Sequence, residues 1–99
     1  MTLTPFHLAI PVTDLEQAKA FYGGLLGCDK GRWSEQWIDW NFFGHQLVTH
    51  LVTQMPSLPK HNQVDNHAVP VPHFGVVLNW MDWQDLASKL SAANVDFII

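Results

Sequence analysis

Charge is scarce in this sequence. Of its 99 residues, 14% are Asp, Glu, Lys or Arg, against about 25% in an average domain. Hydrophobic residues reach 47%, an ordinary share for a globular chain, so the sequence predicts a folded protein with little charge on its outside. We therefore expect a partner to cover part of that surface.

Basic residues, cysteines and long apolar runs are also few. Five Lys and Arg stand against nine Asp and Glu, and the missing basic stripe excludes a nucleic-acid partner. No apolar run approaches the length of a membrane span, and the first residues lack a signal-peptide pattern. The single cysteine, Cys28, cannot form an internal disulfide, which favours a cytoplasmic protein.

Strand and helix signals alternate through residues 1–55. Residues 6–12 alternate as a strand does, Thr13 and Asp14 form a helix start, and Gly27 is a suitable helix stop. Three further strands follow, and a turn at Gly44 and His45 joins the last two. The predicted ranges of these strands are 30–33, 37–43 and 46–53. The sequence therefore predicts one complete strand–helix–strand–strand–strand module.

The second half is shorter and begins after a proline-containing stretch. Residues 56–72 hold four prolines among mostly polar residues and are predicted as a linker without regular structure. Residues 73–99 then read as a strand over 73–79, a helix that Asp82 caps and Asn94 ends, and the start of a strand at Val95. This order predicts a partial second module.

The two halves resemble each other as an internal repeat. His7 and His73 each open a strand with a small residue two positions later, and each strand leads to a helix with an aspartate cap. Gly27 and Asn94 end the two helices at nearly the same spacing as the histidines. Chance is the alternative, but histidine, cap and stop all align, so we favour a repeat.

Three histidines in predicted strands are the candidate metal ligands. If the modules pair about a pseudo-twofold axis, His7 and His73 face each other, and His50 joins them from the last strand of the first module. Two or three imidazoles from separate strands suit a divalent metal ion such as Fe, Zn, Ni, Mn or Co. The alternative is that each is a hydrogen-bonded histidine on a half-buried strand.

Several other residues are candidates for lining a cavity above that face. Ala9 and Gly75 are small and leave room beside the paired histidines. Trp37, Asp39 and Asn41 share a strand face, although a strand that turns Asp and Asn toward solvent would show the same pattern. The remaining histidines, His45, His61 and His67, fall in a predicted turn and in the linker, where we expect them to be exposed.

Two segments of the sequence carry a family resemblance. The run from His7 to Val12, followed by Asp14, Phe21-Tyr22 and Leu26-Gly27-Cys28, resembles the opening of the vicinal oxygen chelate superfamily. That superfamily includes glyoxalase I, bleomycin-resistance proteins and extradiol dioxygenases. The runs 42–48 and 71–76 are similar to its bacterial glyoxalase/dioxygenase-like branch, so the resemblance covers nearly the whole chain.

The resemblance implies an α+β fold of paired βαβββ modules around a divalent metal ion. It implies metal ligands at His7 and His73, a further ligand at the position of His50, and a fourth that is usually a C-terminal Glu. This chain has no Glu at that place: Glu16 and Glu35 both lie in the first module. The activity implied is that of a metal-dependent lyase or dioxygenase acting on a small oxygen-chelating molecule.

The short second module implies three alternative functions and one partner. The first alternative is a metal-dependent enzyme. The second is a bleomycin-resistance-like binding protein, with Trp37, Trp40 and Phe43 as candidate walls of the ligand cavity. The third is a truncated family member without activity. In each case an incomplete sheet exposes strand edges, and exposed edges recruit other chains. We therefore expect a homodimer or a higher homo-oligomer.

Overall fold

The computed structural model describes residues 3–57, 61–64 and 67–98. The chain divides into two compact units, Met1–Met55 and Pro56–Ile99, here called the N-terminal unit and the C-terminal unit. The strands are β1 (His7–Val12), β2 (Asp29–Trp33), β3 (Trp37–Phe42), β4 (His45–Leu51), β5 (His61–Val64) and β6 (His67–Pro70). The helices are α1 (Leu15–Ala18), a π-helix (Lys19–Leu25) and α2 (Trp80–Ala92).

The N-terminal unit is the predicted βαβββ module. Its four strands form one sheet in the order β1-β4-β3-β2. β1 runs parallel to β4, with His7 opposite Gln46, while β3 is antiparallel to both β4 and β2. The α+β fold class predicted from the sequence is confirmed for this unit.

The segment between β1 and β2 begins and ends where the sequence predicts, but most of it is not an α-helix. Asp14 caps α1, since its Oδ1 accepts hydrogen bonds from the backbone N–H groups of Glu16 at 2.8 Å and Gln17 at 3.1 Å. After one turn the helix widens into the π-helix. Gly27 follows with φ +71°, which is the left-handed conformation typical of a helix end.

The core lies between the sheet and these helices. Most of its buried side chains come from alternate positions of β3 and β4 and from the helix: Ile38, Trp40, Phe42, Leu47 and Ala18. Val48 is also buried, although strand pairing places it on the other face of the sheet. Thr49 is fully buried on the helix side, and its hydroxyl accepts a hydrogen bond from Trp40 Nε1 at 3.1 Å and donates to the Ile38 carbonyl at 3.3 Å. These two bonds satisfy the buried indole and hydroxyl groups, so the polar residue is compatible with the core.

The C-terminal unit differs from the sequence prediction in three places. Residues 56–72, predicted as a linker without structure, contain the antiparallel hairpin β5–β6. Residues 73–79 and 95–98, predicted as strands, form no strand in the described part of the chain. Both have apolar alternation, but a strand needs a neighbour for its backbone hydrogen bonds, and neither segment pairs with one. None of the described helices is long and apolar enough to cross a membrane.

The helix of the C-terminal unit forms with a different cap from the one predicted. Asn79 is the N-cap, and its side-chain oxygen accepts the backbone N–H of Asp82 at 2.9 Å. Asp82 lies in the first turn and returns a bond, since its carboxylate accepts from the Asn79 amide at 3.0 Å. Asn94, with φ +59°, follows the helix end as predicted.

Candidate functional site

One face of the N-terminal sheet lies opposite α1 and the π-helix and is called the open face here. Strand pairing defines its members, because residues directly opposite one another point to the same side. Three short rows cross the face from β1 through β4 to β3. These rows are His7, Gln46 and Asn41; Ala9, Val48 and Asp39; and Pro11, His50 and Trp37.

The predicted site residues of the N-terminal unit all lie on the open face. His7, Asn41 and His50 are exposed, while Trp37 and Asp39 are half-buried. Ala9 is exposed in the middle row, where its methyl group leaves space. Sequence alternation thus identified this face, although it did not show how far apart its polar side chains lie.

His7 and His50 lie at opposite ends of β1 and β4. Gln46 is the register partner of His7, whereas Pro11 is the partner of His50. The two histidines are therefore four positions apart along the strands, or about 13 Å at 3.3 Å per residue. In the part of the chain that the structure describes, no group of three or more His, Cys, Asp or Glu side chains is close enough together to hold a metal ion.

His73 lies in the C-terminal unit, three residues after the hairpin strand β6. Its side chain is exposed, and its Nδ1 lies 2.8 Å from the Pro70 carbonyl oxygen. A carbonyl oxygen only accepts hydrogen bonds, so Nδ1 carries a proton, and in the neutral form of the ring Nε2 is the unprotonated nitrogen. Gly75 is exposed two residues later, with nothing within 4 Å of the position that a Cβ would take.

His45 is not the free turn histidine that the sequence predicts. It is the first residue of β4 and is half-buried, and its Nδ1 accepts the backbone N–H of Phe6 at 2.9 Å. Its ring also packs against the Phe6 ring, with the centroids 4.2 Å apart. His45 therefore fastens the start of β1 to β4. His67 is exposed, as predicted, and the side chain of His61 lies outside the described residues.

A cleft of about 430 Å³ opens on this side of the N-terminal unit. Its lining includes two predicted site residues, Asp39 and Asn41, and also Arg32 and Gln46, which were not predicted as site residues. Gln46 Nε2 donates to Asp39 Oδ2 at 3.3 Å, and Asn41 Oδ1 accepts the Gly44 N–H at 2.8 Å. Asn41 therefore stabilises the β3–β4 turn, while Asp39 keeps one carboxylate oxygen for another donor.

Two titratable groups near the end of the π-helix are shifted by their surroundings. Burial, and secondarily the negative charge of Asp29, raises the pKa of the Cys28 thiol. Burial, and secondarily Cys28, raises the pKa of Tyr22. Both groups are thus neutral at physiological pH, and Cys28 is a poor nucleophile there.

Comparison with known proteins agrees with the fold. A crystal structure of a glyoxalase/bleomycin resistance protein/dioxygenase from Alicyclobacillus acidocaldarius is similar, with a TM-score of 0.63 and 28% sequence identity. The match covers 91% of this chain and 63% of that chain, so the present chain spans under two thirds of its neighbour's length. No family model and no curated protein matches the sequence. The βαβββ sheet, its strand order and this similarity together give the chain the fold of the vicinal oxygen chelate superfamily.

Proposed function

We propose that this chain is a glyoxalase/dioxygenase-like protein that binds a divalent metal ion through His7 and His73, with His50 as a third candidate ligand. A metal ion bound there polarises adjacent oxygen atoms of a small chelating molecule, which is the chemistry of a lyase or a dioxygenase. The metal is Fe, Zn, Ni, Mn or Co, all of which imidazole ligands suit.

The hydrogen bond of His73 is the observation that carries the proposal. Histidines that bind metals almost always donate their other ring N–H to a carboxylate or a carbonyl, which fixes the tautomer and directs the free nitrogen to the metal. His73 has this arrangement, with Nδ1 on the Pro70 carbonyl and Nε2 free. His7 adds an exposed imidazole on the open face of the sheet.

Metal content measured by native mass spectrometry tests the ligands. After loading with Zn²⁺, we expect one ion per chain in the unmodified protein and a clear loss in His7→Ala and in His73→Ala. His67→Ala is the matched control, because His67 is an exposed histidine of the same unit as His73. A His73→Ala variant with full metal content would contradict the ligand set, and His50→Ala decides whether that residue takes part.

A second candidate function is binding without catalysis. Its support is that the described residues assemble no group of three metal-binding side chains, while the open face still borders a cleft. The similar protein from Alicyclobacillus acidocaldarius is itself described as a glyoxalase/bleomycin resistance protein/dioxygenase. A protein that carries no metal after loading but binds small molecules at this face would favour this candidate.

The proposed partner is a second copy of the chain. Large apolar side chains stay exposed in the C-terminal unit, among them Val77 at 99%, Met81 at 73% and Trp80 at 67%. Native mass spectrometry at micromolar concentration reports the assembly together with the metal, and a clean monomer would contradict it. Residence in the cytoplasm stays a prediction from the single cysteine.

A further inference from the structure

Arg32 is the one arginine of the 99-residue sequence, and a β-bulge directs it to the open face. The pairing of β2 with β3 shifts between Lys30 and Trp33. A bulge of this kind places an extra residue in one strand and re-aims its side chain. Lys30 and Trp33 contact each other through a cation–π interaction of 5.0 Å and take the helix-side positions opposite Trp40 and Ile38. Arg32 instead lies over Trp37, which is on the open face.

The contact with Trp37 holds the guanidinium but leaves its hydrogen-bonding edge free. Arg32 Cζ lies 5.8 Å from the centre of the Trp37 ring. At this distance the N–H groups make no hydrogen bond to the ring, so they stay available for a planar bidentate partner. Within 4.0 Å, the single ion pair between described residues is Lys19 with Glu16, so no carboxylate of the described chain neutralises Arg32.

The surroundings of Arg32 suit a short ligand with an apolar body. Arg32 lines the 430 Å³ cleft together with Gly31, where the nearest atom to the position that a Cβ would take is the Asp39 Cβ, at 3.5 Å. Pro5, which is exposed, also lines the cleft and supplies an apolar surface there. Among small anions, carboxylates and phosphates are the ones that accept two parallel hydrogen bonds from the planar guanidinium of Arg.

We propose that Arg32 is the anion-binding residue of the open face and that the ligand there is a small carboxylate with an apolar or aromatic body. The inference rests on the proposed function, since it names the class of molecule that the same face receives. Asp39 accepts a hydrogen bond from any donor group that this molecule carries beside its carboxylate. Trp37 is a positioning residue, because it acts through the guanidinium.

A titration of metal-free protein with benzoate tests the proposal, with benzamide as the uncharged probe of the same shape. The Nε–Hε signal of a single arginine is unique in a ¹H–¹⁵N NMR spectrum, so it reports on Arg32 alone. We expect benzoate to shift this signal saturably and benzamide to leave it in place. A signal that benzoate does not move, or that both probes move alike, overturns the proposal.

Variants on the same strand separate recognition from general effects of charge. By ligand-observed NMR, we expect benzoate affinity to fall about tenfold or more in Arg32→Gln, and less in Arg32→Lys, which keeps the charge without the fork. Lys30→Gln is the matched control, because it removes the same charge from the helix side of β2. Equal affinity in Arg32→Gln and Lys30→Gln overturns the assignment. Asp39→Asn should strengthen benzoate binding, since it removes a nearby negative charge.

The outcome of this test is distinct from that of the metal experiment. Benzoate binding to metal-free protein depends on Arg32 and not on His7 or His73. Metal loading without any effect of benzoate on Arg32 overturns the carboxylate proposal alone. Benzoate binding through Arg32 in a protein that takes no metal overturns the metal site and leaves the carboxylate proposal standing.

Discussion

The two units of the chain differ in how much of their structure depends on contacts between distant residues. In the N-terminal unit, four strands share one sheet, and this unit contains every buried side chain of the described residues, from Ala18 to Thr49. In the C-terminal unit, a two-stranded hairpin and α2 form, but α2 buries none of its residues. Helix caps and hairpin turns thus form from local chemistry, whereas a core requires strands that find partners far along the chain.

The largest effect is expected from Trp40, at the centre of the N-terminal core. Trp40 is 3% exposed and bonds to Thr49, so Trp40→Ala should lower the free energy of unfolding by about 3–5 kcal/mol. Trp83→Ala on α2 is the matched change, because Trp83 is 53% exposed and stacks on Trp80. Urea unfolding followed by circular dichroism measures both variants. Equal losses would remove the contrast between the two units.

A smaller effect is expected at the close approach between the π-helix and the sheet. A methyl group on Gly23 would lie 3.0 Å from Trp40 Cζ3, closer than carbon atoms normally pack, so Gly23→Ala should cost about 1–3 kcal/mol. At Gly24 the nearest atom is the Lys19 carbonyl oxygen at 4.0 Å, so Gly24→Ala should be neutral or stabilising. If urea midpoints show the two variants to be alike, the contact with Trp40 does not determine the position of the π-helix.

The cap of α2 should have an effect confined to the C-terminal unit. Asn79→Ala removes the acceptor for the Asp82 N–H and should cost about 1 kcal/mol of helix stability. Amide hydrogen exchange measures this as faster exchange within Trp80–Ala92, while the amides of β3 and β4 keep their rates. Asn79→Ser retains an acceptor and should restore most of the protection. Faster exchange in β3 as well would show that the units are energetically coupled.

The smallest effect is a pH dependence that belongs to the N-terminal unit. The pKa values of Cys28 and Tyr22 are raised from ordinary values of 9.0 and 10.0. In that alkaline range the unfolded chain releases protons before the folded chain does. The stabilisation of the folded state by the protonated Cys28 and Tyr22 is therefore fully present below about pH 9 and is lost as pH rises through the folded pKa values. Urea unfolding between pH 7 and 11 should show this decline, and Cys28→Ser should reduce its lower part. Stability that stays constant above pH 9 would contradict the shifts.

The sequence predicted those parts of the fold that depend on local signals. Asp14, Gly27 and Asn94 each act within a few residues of their own position, and all three have the predicted role. The alternation of β1, β3 and β4 predicted which side chains face the helix. The strand at 73–79 was predicted from the same alternation, but pairing depends on a neighbour that a local pattern does not specify.

The candidate site was predictable as a face but not as a set of distances. Alternation placed His7, His50 and Asp39 together, whereas the parallel register that separates the two histidines follows from how β1 meets β4. Arg32 was missed because regular alternation ignores bulges. The sequence does mark Arg32 as unusual, because it is the single arginine of a chain with few charged residues.

The parallel pairing of β1 with β4 also has a consequence for the order of folding. The meander β2–β3–β4 joins neighbours in the chain, whereas the Phe6 carbonyl accepts its hydrogen bond from Gln46, forty residues later in sequence. Contacts between distant residues form late, because the intervening loop must be closed first. During synthesis, β1 leaves the ribosome before its partner β4, so we expect β1 to join the sheet last. The strand that carries His7 is then expected to become ordered only after the rest of its module.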